Sequence, residues 1–421
     1  MSDDTGVQEN IEIELIAMAH GGSALGRHEK KTIFIPYTIP GEIVEAKITQ
    51  DKGRIAFAEG VKLIGASEDR VYPRCPHFGP RKCGRCQWQH IDYAAQLLLK
   101  QDVLADQLSR IGKFDDDTIE AALRATIPAP EQWGYNYHIT LTATPDGQLG
   151  FPRSIEDGLL IIDECHIIRP ELLNLLDTLD LDFDGMQRLT LQMGTDGAHM
   201  IVVYIDDEDN TPQLHADLPT SVNVILPDNE PINLIGDSHV NYKIGAHTFK
   251  VTAGAEFRAN IPQLETLANA VVEALALTGK EAVLDLYGGV GFFSAFIADQ
   301  TSLVTVVESY PPAATNAEEN LSAHDHIGVI EGTVEDVLDD LDDVYDIAII
   351  DPPSGGLGLE ALDAIADARI PRLVYVSGDP ATLARDGERL GKQGYRLKSV
   401  QPIDLNPQTY YVDSIAVFVH N

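Results

Sequence analysis

The stretch VLDLYGGVGFFS, residues 283–294, decides the fold. An apolar run carries Asp285, turns through Gly288, Gly289 and Gly291, and continues into an aromatic helix start. This reads as a buried strand, a sharp turn and a helix, because glycine lets the backbone reverse and approach a ligand. A second apolar run, LVTVVE, ends at Glu308, 23 residues after Asp285. An acid at that place accepts hydrogen bonds from ribose hydroxyls. The spacing is D-x-x-G-G-x-G rather than the G-x-G-x-x-G of dinucleotide sites, and Asp285 would repel a pyrophosphate. S-adenosylmethionine, with a sulfonium, an ammonium and no phosphate, suits such a pocket. The competing reading is a purely structural turn in a generic α/β domain.

Outward from this stretch the chain alternates strand and helix. AVLDLY, LVTVVE, GVIEG, DIAIID and RLVYVS read as strands, with helices at about 292–299, 311–323, 334–341, 359–368 and 381–392. YRLKSVQPID and DSIAVFVH follow as two late strands. This rhythm predicts a parallel, doubly wound, Rossmann-like α/β domain with an antiparallel finish over residues 251–421. IIDPPSGG places Asp351 where the fourth strand meets a proline-stiffened loop. VYVSGDPATLARD is another strand–turn–helix, at residues 374–386, yet its turn carries no nucleophile: no Cys, and Ser377 without a nearby His.

Upstream, IEIELIAMA, KTIFIPY, EIVEAKIT and AFAEGVKLI predict a small OB-like β-barrel within residues 1–66. Residues 67–250 read as a central mixed α+β domain. It has a Cys-rich loop, a helix that stops at Gly112, and strands from YHITLTAT to HTFKVTAG. Cys75, Cys83 and Cys86 lie in CPHFGPRKCGRC, and Cys165 is the fourth and last cysteine. Such a cluster in a chain without need of disulfides points to a metal site.

Of the 421 residues, 66 are acidic and 30 basic, giving a net charge of −36. That excess opposes nonspecific nucleic-acid binding. No Lys or Arg occurs from Glu281 to Asp367, whereas Arg74, Arg81, Lys82, Arg85, Lys100 and Arg110 gather upstream. A polyanion is therefore expected to contact the N-terminal half. No apolar run reaches membrane-spanning length and MSDDTGVQEN does not read as a signal peptide, so a soluble, cytoplasmic monomer is expected.

Taken in order, these motifs resemble the RNA 5-methyluridine methyltransferases, over nearly the whole chain. AHGGSALGRHEKKTIFIPYTIPGEIVEAKI is similar to that family's TRAM domain, an RNA-binding barrel. The resemblance implies that Cys75, Cys83, Cys86 and Cys165 hold a [4Fe–4S] cluster, although the spacing from Cys75 to Cys83 is longer than the family's. Zinc is the chemical alternative for four thiolates. It implies that Tyr287, Glu308 and Asp351 bind S-adenosylmethionine, beside Asp285 and Gly289. It also implies a ribosomal or transfer RNA substrate.

The departures gather at the reacting positions. Gly378 stands where the family has the Cys that adds to uracil C6. Asp413 stands for the Glu that removes the C5 proton, one methylene shorter, with Tyr411 at the place of a His. Arg258 replaces a cofactor-holding Gln, Ser354 an Arg, and Gly288 a Cys. All four thiols match cluster positions, so none remains for attack on C6. Two main readings follow: an RNA methyltransferase with altered chemistry, or a non-catalytic RNA-binding relative that keeps the cofactor as a structural ligand. A cluster-sensing regulator is the third.

Overall fold

The computed structural model describes residues 10–144, 148–154, 157–181, 186–207, 214–216, 219–341 and 343–420. The N-terminal strands close into a five-stranded barrel in the order Ile11–Met18, Ala24–His28, Lys31–Ile35, Ile55–Gly65, Ile43–Asp51. Alternation along the strands turns Ile13, Leu15, Ile33, Ile35, Val44 and Ala46 inward. Closure removes the open edges that would otherwise invite pairing.

The central region contains a seven-stranded mixed sheet in which His199–Ile205 and Ser221–Ile225 run parallel while the other neighbours run antiparallel. The stretch HTFKVTAG, expected among the strands of the mixed sheet, does not join it. Its strand, His247–Thr252, pairs with His239–Ile244 in a separate hairpin. The reason is burial: Val240, Phe249 and Val251 pack into the core of the C-terminal sheet beside the helix Ile261–Leu275.

That C-terminal sheet has seven strands in the order Ile327–Glu331, Leu303–Glu308, Ala282–Leu286, Ile347–Ile350, Arg372–Ser377, Asp413–His420, Tyr395–Ile403. The first five are parallel and the last two antiparallel, as the alternation predicts. Both faces are covered, so the strands are apolar on both sides. Val283, Val306 and Ile349 face one core, while Leu284, Val307 and Ile350 face the other. Strand order reverses between Ala282–Leu286 and Ile347–Ile350. A cleft opens outside the strand ends at such a reversal.

The helix Tyr93–Arg110 ties the regions together. Leu104 and Leu108 lie in the second core of the C-terminal sheet, whereas Ala95 and Val103 pack beneath the barrel with Trp88. Midway along it, fully buried Lys100 meets fully buried Asp404 at 2.6 Å and donates to the Asn406 carbonyl at 3.1 Å. Tyr93 also donates to Asp404, at 3.0 Å. Among the described residues no helix is long and apolar enough to cross a membrane.

Removing one partner of a buried ion pair strands the other charge in a poor solvent. Lys100→Met is expected to lower unfolding stability by about 3–5 kcal/mol, read from urea titrations. A change below about 1 kcal/mol would show that the pair is not an anchor.

Candidate active site

The Gly-rich turn does what its composition requires. Gly289 takes φ +55° and Gly291 φ +80°, so the chain can reverse and begin the helix Phe292–Ile297. A Cβ at Gly288 would collide with Val306 Cγ1, which leaves no room there for a side chain unless Val306 shifts. Tyr287 also adopts a left-handed backbone, at φ +61°, a conformation uncommon for a bulky residue. Such strain persists only where the surroundings enforce it, and it is concentrated at ligand sites.

Tyr287 borders a cavity of about 390 Å³ at the C-terminal ends of the strands, together with Val307, Ser309, Thr333, Glu335 and Leu359. No Lys or Arg lines it. Glu308 lies at the adjacent strand end. One of its carboxylate oxygens accepts the Gly289 N–H at 2.9 Å and the other the Tyr310 N–H at 2.7 Å. Glu308 thus braces the turn, with its remaining lone pairs free to face a hydroxyl. Asp285 is fully buried. It accepts from the Ser294 hydroxyl at 2.6 Å, while its Oδ1 has no partner. Burial pushes its carboxyl up to about 7, against the pull of Ser294 and with the help of nearby Asp351 and Glu308. An orphaned acceptor, acidic strand ends and a cavity without cations fit an adenosyl group bearing positive charge, and disfavour a phosphate.

Asp351 is engaged more firmly than the sequence shows. Arg258 grips it with two hydrogen bonds, of 2.7 and 2.6 Å. The arginine in FRAN therefore places a guanidinium against a carboxylate otherwise available to the cofactor. Its charge also reaches Asp413. Asp413 is buried, its Oδ2 accepting from Asn406 Nδ2 at 3.0 Å. Burial pushes its carboxyl up to about 7, although Arg258 and Lys100 pull the other way. Asn406 was not singled out from the sequence; its place seven residues before Asp413, on the same loop, is the only hint.

Gly378 and Asp413 come together. Strands Arg372–Ser377 and Asp413–His420 pair so that Ser377 faces Ser414. A Cβ built on Gly378 would meet a single atom within 4 Å, Asp413 Oδ1, at 3.6 Å. A side chain at this position would thus enter open space beside the carboxyl. The following helix, Pro380–Lys392, is capped by Asp379, which accepts from Ala381 and Thr382 N–H at 2.8 and 2.9 Å. His20, from the barrel, holds the other Asp379 oxygen at 2.9 Å. The turn of VYVSGDPATLARD is therefore the lip of the site, clamped by the barrel. Tyr411 is exposed beside it, and Ser354 lies exposed in the proline loop.

All four cysteines border one small cavity, with Gln89 and Arg85. The Cys75 N–H donates to Gln89 Oε1 at 3.0 Å, and burial pushes the Cys165 thiol up to about 11. The structure thus gathers the thiols. Yet among the described residues no group of three or more His, Cys, Asp or Glu is placed to hold a metal ion.

Residues 6–61 match the TRAM domain family. An RNA methyltransferase of Streptomyces avermitilis is 30% identical, over 97% of this chain and 98% of its own. The chain is a member of the RNA methyltransferase family that includes the uracil-C5 enzymes. Within that family, the 23S rRNA (uracil(1939)-C(5))-methyltransferase of Shewanella sediminis is 29% identical over 97% of this chain and 95% of its own. The crystal structure of Pyrococcus abyssi tRNA (uracil-54, C5)-methyltransferase in complex with S-adenosyl-L-homocysteine covers 97% of the chain. Its TM-score is 0.70 at 20% identity, and all of its own chain is covered. The fold is thus that of a methyltransferase throughout, and the non-catalytic reading finds no support among these relatives.

Asp285 and Asp413 both hold their proton more tightly in the folded state than an ordinary carboxyl does. The stability they allow is fully present below the ordinary carboxylate range and is lost as pH rises through about 7. Denaturant titrations from pH 5 to 8 are expected to show falling stability, with a shallower slope in Asp413→Asn. An unchanged slope in that variant would show that Asp413 carries no such shift.

Proposed function

We propose that this protein is an S-adenosylmethionine-dependent methyltransferase acting on a uridine of ribosomal or transfer RNA. The observation that carries the reading is the open space at Gly378 beside the buried carboxyl of Asp413, in a sheet whose strand ends also border a cavity that no Lys or Arg lines. The donor supplies an electrophilic methyl group. Tyr287, Glu308, Asp285 and Gly289 would hold its adenosyl and amino-acid parts, with Asp351 shared with Arg258. Asp413, oriented by Asn406, would serve as the base. A carboxyl near 7 is well poised for proton transfer at neutral pH.

The barrel, residues 1–66, would bind RNA. Exposed Phe57 stacks on Phe34 at 5.6 Å, with Lys52 over its ring at 5.2 Å, a combination that accepts an unstacked base. The central region, 67–250, would carry a cluster site and the segment 251–421 the chemistry.

For Cys75, Cys83, Cys86 and Cys165 the reading is a [4Fe–4S] cluster. Zinc would need its sulfurs about 2.3 Å from one point. Four thiols around one cavity support a site for a thiolate-held group, and four thiolates also suit a [4Fe–4S] cluster. Anaerobically purified protein is expected to be brown, with iron and sulfide in equal amounts. Colourless protein containing zinc would replace this assignment.

The test of the function is transfer of a labelled methyl group from S-adenosylmethionine to unmodified ribosomal or transfer RNA. Incorporation is expected in the native protein, rising with pH through about 7. Asp413→Asn is expected to reduce it by about 100-fold or more. No incorporation into either RNA would reject the reading.

A further inference from the structure

Among the described residues, Asp413 borders the space at Gly378, Arg258 acts on Asp413 through its charge, and no thiol lies there. Every cysteine borders the cavity in the central region. The Ser377 hydroxyl is committed, donating to the Asp379 carbonyl at 2.8 Å and accepting its N–H at 3.2 Å. Ser414 follows Asp413 in an extended strand and so points to the opposite face. Methylation at uracil C5 needs a group that adds to C6, since the ring carbon is otherwise electron-poor and its hydrogen is vinylic. A carboxylate cannot remove that hydrogen. The imide N–H at N3 is far more acidic, and its anion spreads onto the two flanking carbonyl oxygens. Such an anion calls for one base and one fixed cation. Both are present: Asp413, held by Asn406, and Arg258, which donates two bonds to Asp351 and lies 6.0 Å from the Phe293 ring centre.

We propose that this protein methylates N3 of uridine in RNA, with Asp413 taking the N3 proton and Arg258 facing an adjacent carbonyl oxygen. The inference rests on the methyltransferase reading above and specifies its acceptor atom. The balance is complete. The N3–H bond breaks and its proton goes to the Asp413 carboxylate. The N3 electron pair forms a bond to the methyl carbon. The methyl–sulfur bond breaks, its electrons neutralise the sulfonium, and S-adenosylhomocysteine leaves. Asp413 returns its proton to solvent after product release. A carboxyl poised near neutrality matches an imide better than an ordinary aspartate would. Arg258, where related sequences carry a neutral Gln, becomes the residue that substitutes electrostatic stabilisation for a covalent adduct.

The experiment is mass spectrometry of nucleosides from RNA treated with the native protein and methyl-labelled S-adenosylmethionine. Labelled 3-methyluridine is the expected product. Labelled 5-methyluridine, or label in any other nucleoside, overturns this inference while leaving the methyltransferase reading intact. Absence of label from all nucleosides overturns both. A second measurement does not depend on turnover. RNA containing 5-fluorouridine traps enzymes that add to C6, and here no protein–RNA adduct should survive a denaturing gel; an adduct would overturn the proposal. Arg258→Gln should lower the rate about 100- to 1,000-fold. Arg258→Lys should recover part of it, and an undiminished rate in Arg258→Gln would contradict the cation's role.

Discussion

The buried ion pair between Lys100 and Asp404 is the constraint on which the site depends. A charge taken out of water is tolerated only when it is matched and hydrogen-bonded. Here the match joins two segments 304 residues apart in sequence. Lys100 reaches Asp404 and the Asn406 carbonyl, and the Asn406 side chain in turn orients Asp413. The helix Tyr93–Arg110 also lends Leu104 and Leu108 to the core beneath that loop. The base of the proposed reaction is therefore positioned by a helix that contributes nothing to the sheet itself.

The same low-dielectric setting explains the electrostatics of the chamber. Asp285 and Asp413 sit where ionisation is costly, and each waits near neutrality. Asp351 is instead paired with Arg258. Of the three acids proposed to face a cationic donor, Asp285, Glu308 and Asp351, the last is already neutralised by Arg258. Compared with a site holding a neutral Gln at position 258, attraction for the sulfonium is weaker and attraction for an anionic base is stronger. In the proposed reaction the absence of a thiol at position 378 is matched by a fixed cation at position 258.

The parallel sheet was legible because its strands are buried on both faces and its helices repeat at 3.6, so the two periods alternate cleanly. The barrel was legible for a similar reason, with short strands of period two broken by turn residues. The cofactor turn could be read because glycines at 288, 289 and 291 have few other uses in that arrangement. What could not be read was tertiary. HTFKVTAG looks like any sheet strand, and only the packing of Phe249 and Val251 against a helix sets it apart. Arg258 reads as one substitution among several until its two bonds to Asp351 are seen. Asn406, His20 and Lys100 act across hundreds of residues, and no local pattern marks such partners. The cysteines were legible as a set, but their spacing in the sequence says nothing of how closely they converge.

One junction bears on how the molecule is made. Trp88 donates to the Gly22 carbonyl at 3.1 Å and its own N–H reaches the Gln408 carbonyl at 3.0 Å, while Tyr410 packs against the barrel core. A Cβ on Gly22 would lie 2.8 Å from Tyr410. The barrel is thus seated on residues that are synthesised long after it. Its strands can pair early, since their contacts are local, but its docking must wait for residues 408–410. During synthesis the nascent barrel is tethered but unseated, and the lip of the active site is assembled only once residues 408–410 have emerged.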